Sequence, residues 1–281
     1  MARIVCVHGI AQQVKGAHTL LADWYPALAD GAALAEVEID RDDVAMAFYG
    51  DLFRPKGHRM IGLPEYDSSD VAEGLEQDLL RALWEEAARS EPAVPGPNDP
   101  VRFGAPTWVQ RALRSLSQHP YMAGVADRVM VADLKQVRAY LTEPEVRETA
   151  RGRVQELVGP DTRLVVAHSL GSVVAYEALC ARFGDFQVDL LTLGSPLGIS
   201  GLIFDRLVPA PEQGQGVRPA AVREWTNVAD RRDVVALVKE LEPLFGRVRD
   251  RPVHNGAKAH DASPYLTSIE AGEAVRAALS G

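Results

Sequence analysis

The chain repeatedly gathers its apolar residues into short unbroken runs, beginning with Ile4-Val5-Cys6-Val7, which His8-Gly9 closes. Such a run is too short for a helix and rich in β-branched side chains. Having no polar side, it predicts a strand buried on both faces, as in parallel sheets. Val44 to Tyr49, Arg163 to Ala167, Val188 to Leu193 and Val222 to Val228 read as further strands, and Val248 to Val253 is a candidate for a last one. Helical spacing fills the gaps. His18 to Ala29 places Leu20, Leu21, Trp24 and Leu28 on one face, Asp133 to Val158 reads as a helix kinked near Pro144, and Leu170 to Phe183 and Ser268 to Leu279 follow. Strand and helix in alternation define βαβ units, so the expected fold is a doubly wound, mostly parallel α/β sheet.

The alternation lapses between Gly50 and Met130. Asp70 is positioned to cap a helix running to Ser90, with Val71, Leu75, Leu79 and Leu83 as its apolar stripe. The prolines at 92, 95, 97 and 100 mark a loop, and a further helical segment runs from Thr107 to Leu116. Residues 51–130 are therefore expected to be a helical insertion within a single domain spanning 1–281. A large α/β domain routinely reaches about 250 residues as one unit, and the insertion accounts for the excess.

Composition excludes several classes of function. A hydrophobic share of 47% with 25% charged residues argues against disorder, and a net charge of -9 argues against a nucleic-acid partner. Two cysteines, Cys6 and Cys180, cannot supply a disulfide framework or a cysteine-rich metal site, and both read as buried small hydrophobes. No apolar run approaches the ~18 residues of a membrane span, and the opening MARIVCVHGI lacks a signal-peptide pattern. No integral membrane segment and a cytoplasmic location are the expectation. Oligomeric state leaves no mark on the sequence.

The chemistry concentrates in Leu164-Val165-Val166-Ala167-His168-Ser169-Leu170-Gly171, where a buried strand runs directly into an apolar helix through Ala-x-Ser-x-Gly. This resembles the nucleophile elbow of the α/β-hydrolases, lipase and esterase side, in which a serine sits on a strained turn above the sheet. Small residues flank such a serine because larger ones would collide with the neighbouring strand and helix. Ala167 stands where the family pattern has glycine. The competing reading of Ser169 is a helix cap.

The resemblance implies a full hydrolytic set. Val7-His8-Gly9-Ile10 is similar to the His-Gly motif with which lipases open the oxyanion hole, and it implies backbone N–H donors from Ile10 and from Leu170, with Ala11 as an alternative to Ile10. His8 itself reads as a structural side chain. The family order of serine, acid, histidine leaves His260 and His254 as candidate bases. His260 is favoured because it lies in the loop before the last helix. His18, His58, His119 and His168 precede the serine and read as surface or structural. Two aspartates compete for the acid: Asp233, whose Asp-Val-Val-Ala run resembles the family's Asp-x-Val-Pro turn with Ala236 in place of proline, and Asp230, which could instead brace the loop. Ser195, in Leu193-Gly194-Ser195-Pro196, lacks small flanking residues and reads as structural.

The implied activity is cleavage of a carboxylic ester, thioester or lactone through Ser169, His260 and Asp233, on a small-molecule or lipid-like acyl substrate, with no cofactor and no metal. The same residues would serve acyl transfer, and the fold could also be kept as a binding module without turnover. Trp84, Trp108, Leu113, Leu116, Tyr121 and Met122 of the insertion are expected to shape an apolar pocket over the site, or alternatively to fasten the insertion to the core.

Overall fold

The structure, a computed structural model, describes residues 2–54, 64–100, 107–120, 122, 125–181 and 186–281. Six strands form one all-parallel sheet: β1 (Ile4–Val7), β2 (Val44–Ala47), β3 (Leu164–His168), β4 (Val188–Leu193), β5 (Val222–Asp230) and β6 (Val248–Val253). Their order is β2-β1-β3-β4-β5-β6, so the chain starts in the interior, steps outward once, then crosses β1 and proceeds the other way. Ile4 pairs with Val44 on one flank and Leu164 on the other.

Helices cover both faces. On one, α1 (Ala17–Leu34) and α9 (Ile269–Ser280) pack on Ile4, Cys6, Leu164, Val166, Leu191 and Leu193. On the other, α5 (Pro144–Leu157) and α6 (Leu170–Cys180) pack on Val5, Val7, Val165, Ala167 and Leu190. Alternate residues of one apolar strand thus feed two cores, which is why β1 and β2 contain no polar positions. β6 lies at the sheet edge, and its exposed Arg251 and Pro252 suit an edge that must resist further pairing. Of the two cysteines, Cys6 is buried and Cys180 only half-buried, and both are free.

Of the boundaries that depart from expectation, four bear on the packing or the site. The long helix predicted from Asp133 to Val158 is two helices, α4 (Asp127–Thr142) and α5, because Pro144 opens α5 and holds Glu143 before it in extended backbone. The first helix continues past Ala29 to Leu34 with Pro26 inside it. An internal proline costs about 3 kcal/mol, but Leu20, Leu21, Trp24 and Leu28 are buried at about 1.5–3 kcal/mol each, so burial prevails. Asp70 does not cap the next helix: it closes a short 3₁₀ turn, and α2 (Leu75–Ser90) starts after Gly74. The fourth boundary is at β5, which runs on to Asp230 and carries the chain further toward the site.

With α3 (Trp108–Leu116), capped by Thr107, helices α2 and α4 form a layer whose apolar residues join the core beneath α5 and α6. A buried ion pair fastens it. Arg147 of α5 pairs with Glu177 of α6, which also accepts a hydrogen bond from Tyr140 of α4 at 2.7 Å. Two short helices, α7 (Glu242–Phe245) and α8 (Ala262–Leu266), complete the helices of the described residues. No helix among the described residues is long and apolar enough to cross a membrane.

Candidate active site

Reversal of strand order between β1 and β3 opens a crevice at their carboxyl ends, the position where open parallel sheets bind ligands. β1 delivers His8-Gly9-Ile10 to that crevice and β3 delivers Ser169. At φ 53° and ψ -132°, Ser169 holds a backbone conformation that non-glycine residues rarely adopt. Gly171 is required two residues on, because a Cβ there would overlap the carbonyl oxygens of Val7 and His8. Ser169 stands at the cap position of α6 but makes no side-chain cap bond.

Its hydroxyl instead donates to His260 Nε2 at 2.9 Å, and His260 Nδ1 donates to Asp233 Oδ2 at 2.7 Å. All three residues are buried. The carboxylate fixes the tautomer, since a proton held on Nδ1 leaves Nε2 free to accept. Asp233 Oδ1 accepts from the backbone N–H groups of Val235 (2.9 Å) and Ala236 (3.2 Å). The second bond needs an N–H that proline lacks, so the alanine at 236 adds a support to the carboxylate. Burial drives the Asp233 carboxyl up, but His260 beside it and the hydrogen bonds from Val235 and Tyr265 outweigh that and hold it at about 2.

Of the competing residues, Asp230 accepts from the backbone N–H groups of Arg232 (2.7 Å) and Asn255, and so braces the loop. His254 is 74% exposed and lies 3.9 Å from Asp230. It lines a surface depression of about 830 Å³ that includes none of Ser169, Asp233 or His260. Ser195 is buried, with its hydroxyl 2.7 Å from that of Ser172. The His8 imidazole is structural: Nδ1 donates to the Gly9 carbonyl at 2.7 Å and Nε2 accepts the Tyr49 N–H at 3.0 Å. His18 is exposed and His119 buried, while His58 lies outside the described residues.

Three residues support the relay in ways the sequence does not show, although His168 reads there as surface or structural. Tyr265 of α8 donates its hydroxyl to Asp233 Oδ2 at 2.8 Å and accepts the Asp230 N–H at 2.8 Å, joining the two aspartates. His168 Nε2 donates to the His260 carbonyl at 2.7 Å, with the two rings 4.7 Å apart. Gly194, at φ +54°, passes so close that a Cβ would stand 2.6 Å from Asp233 Oδ2. A tyrosine five residues beyond His260 and a histidine beside Ser169 were the available signals, but neither spacing distinguishes a support from a core residue.

A cavity of about 340 Å³ adjoins the serine. Its far walls come from Leu79, Leu80 and Leu83 of α2, Leu116 of α3, and Met130 and Leu134 of α4, with Met122 between. Leu116 and Met122 line it as expected, but Trp84, Trp108 and Leu113 do not. Trp84 is buried, with its indole N–H donating to the Pro95 carbonyl at 2.6 Å, Leu113 is buried in the core, and Trp108 stacks under the Arg81 guanidinium. The aromatic residues fasten the insertion, and leucines face the cavity. Tyr121 lies outside the described residues.

The backbone N–H groups of Ile10, Ala11 and Leu170 border this space. Leu170 begins α6, so its N–H has no acceptor within the helix. Ala11 N–H donates to Gln136 Oε1 at 3.2 Å, whereas Ile10 N–H donates to none of the described residues. Among the described residues no cluster of three or more His, Cys, Asp or Glu side chains is arranged to hold a metal ion. Comparison with protein-family models, curated proteins and solved structures finds no match to the chain.

Proposed function

We propose that the protein is a serine hydrolase of the α/β-hydrolase type, a single domain carrying a helical cap over residues 51–130, that cleaves a small or lipid-like carboxylic ester. One observation carries this reading: the unbroken hydrogen-bond relay from Ser169 Oγ through His260 to Asp233, built on a serine at positive φ that faces an apolar cavity. A cap serine would spend its hydroxyl on the helix, and this one does not.

In the proposed reaction His260 Nε2 takes the Ser169 proton as Oγ bonds to the ester carbonyl carbon. The carbonyl oxygen becomes an oxyanion, held by the N–H groups of Ile10 and Leu170. Gln136 supports this geometry by occupying the Ala11 N–H. The ester C–O bond then breaks, His260 returns the proton to the departing alcohol, and an acyl group remains on Ser169. Water attacks that acyl carbon, giving its proton to His260, and the acid leaves as the proton returns to Ser169 Oγ. Thioesters and lactones would follow the same path.

Turnover of p-nitrophenyl butyrate by the parent, Ser169→Ala and His260→Ala proteins tests the proposal. Each substitution should lower kcat by at least about a thousand-fold. A Ser169→Ala protein within about ten-fold of the parent overturns it.

A further inference from the structure

The cavity beside Ser169 is walled mostly by apolar side chains; apart from Ser169, His168 and His260 at the site itself and the exposed Asp261, its polar lining is Asp133 and Gln12. Asp133 lies on α4 between Val129 and Val137, one helical turn from each, and all three face the cavity. Asp133 Oδ1 is inaccessible to solvent and has no hydrogen-bond partner. The exposure that Asp133 retains is consistent with surface facing the cavity. Gln12, in the same lining, shows the same deficit: its Nε2 donates to the Ile10 carbonyl at 3.2 Å, which fixes the amide orientation and leaves Oε1 unpaired. Two acceptors thus border one cavity with nothing donating to these oxygens.

The described residues supply no counter-charge. No lysine or arginine lines the cavity among the described residues. The cations nearest in sequence on α4 are engaged elsewhere: Lys135 and Arg138 with Glu76 at 3.3 and 3.7 Å, and Arg128 with Glu65 at 3.1 Å. Burial pushes the Asp133 carboxyl up to about 7, the direction expected of an unpaired charge held away from water. An unsatisfied buried acceptor is expensive to keep, and a donor brought by the ligand would remove the penalty.

We propose that Asp133 is a specificity-determining residue that receives a protonated amine carried by the substrate, at a point of its apolar body distant from the scissile ester. The inference rests on the hydrolase reading for the ester, while the ammonium site stands on the cavity alone. A volume near 340 Å³ is at the small end for ligand sites, which suits a short alkyl chain ending in an ammonium group.

Calorimetric titration of Ser169→Ala protein with hexylammonium and with hexanol, probes of equal chain length, tests this without turnover. Hexylammonium should bind at least about ten-fold more tightly, and adding either Asp133→Asn or Asp133→Leu should abolish the difference. Asp133→Leu removes the unpaired carboxylate and leaves nothing newly unsatisfied, and Asp133→Asn keeps the shape of the side chain, so both variants are expected to fold. Equal binding of the two probes, or a preference that survives both substitutions, overturns the proposal. The preference supports the ammonium site whether or not the parent protein turns over esters, so the two readings can fall separately.

Discussion

Asp230 ends β5 and Asp233 lies three residues on in the loop that follows; the sequence favours Asp233 only through the likeness of its Asp-Val-Val-Ala run to a family turn. Their carboxylates separate them. That of Asp230 is satisfied by backbone N–H groups of Arg232 and Asn255, whereas that of Asp233 meets His260 Nδ1 and the Tyr265 hydroxyl. With its carboxyl held at about 2, Asp233 stays ionised through the neutral range and keeps the His260 proton on Nδ1. An amide at 233 could donate to Nδ1 and reverse the tautomer, placing a proton where the Ser169 hydroxyl must donate. On the proposed mechanism Asp233→Asn should lower kcat by about four orders of magnitude with little change in KM. Asp230→Asn should change ester turnover less than about five-fold while lowering stability by about 1–3 kcal/mol, from weakened bonds to the loop. Steady-state kinetics and urea denaturation of both variants check the split, and comparable losses of kcat would refute it.

At the scale of elements, what could be read from sequence was whatever a single segment encodes. The strands were legible because an unbroken apolar run such as Ile4 to Val7 has only one way to hide both faces. Ser169 stood out because a strand, a serine and an apolar helix meet without a linker. Cavity lining was not legible, because Leu80, Leu83 and Trp84 are alike as apolar residues. Which of them faces the cavity depends on how α2 is rotated against α3 and α4, and that is decided by packing between segments. Tyr140, Arg147 and Glu177 show the same limit: the three come from three helices and meet only when α4, α5 and α6 pack. Arg147→Met should cost about 3–5 kcal/mol, because the carboxylate of Glu177 stays buried without its counter-charge. The loss should appear in the urea midpoint. A change below about 1 kcal/mol would show that the ion pair does not hold the helical layer to the core.

Over the whole molecule the buried histidines weaken the fold in acid, while Asp133, whose carboxyl burial pushes up to about 7, works in the opposite direction. Burial holds His8 at about 4, and burial with His260 alongside holds His168 at about 3, so the fold keeps both neutral. In the unfolded chain each takes up a proton below about pH 6.5. Between those values the unfolded state binds more protons than the folded state, so stability falls as pH drops from about 6.5 toward 4 and then 3. The loss should reach about 2 kcal/mol for each histidine at pH 5, above the range where Asp233 titrates. Urea midpoints from pH 7.5 to 4.5 should decline in the parent and decline less in His168→Gln. Parallel slopes would remove His168 from the account.

The sheet, the helical layer and the histidine supports converge on one hydroxyl, and the central claim is that this hydroxyl is a nucleophile. Reaction with a fluorophosphonate followed by peptide mass analysis asks that directly. The account predicts a single adduct on the peptide containing Ser169, absent from Ser169→Ala and strongly slowed in His260→Ala. Labelling at another serine, or a Ser169→Ala protein that labels at the parent rate, would contradict it.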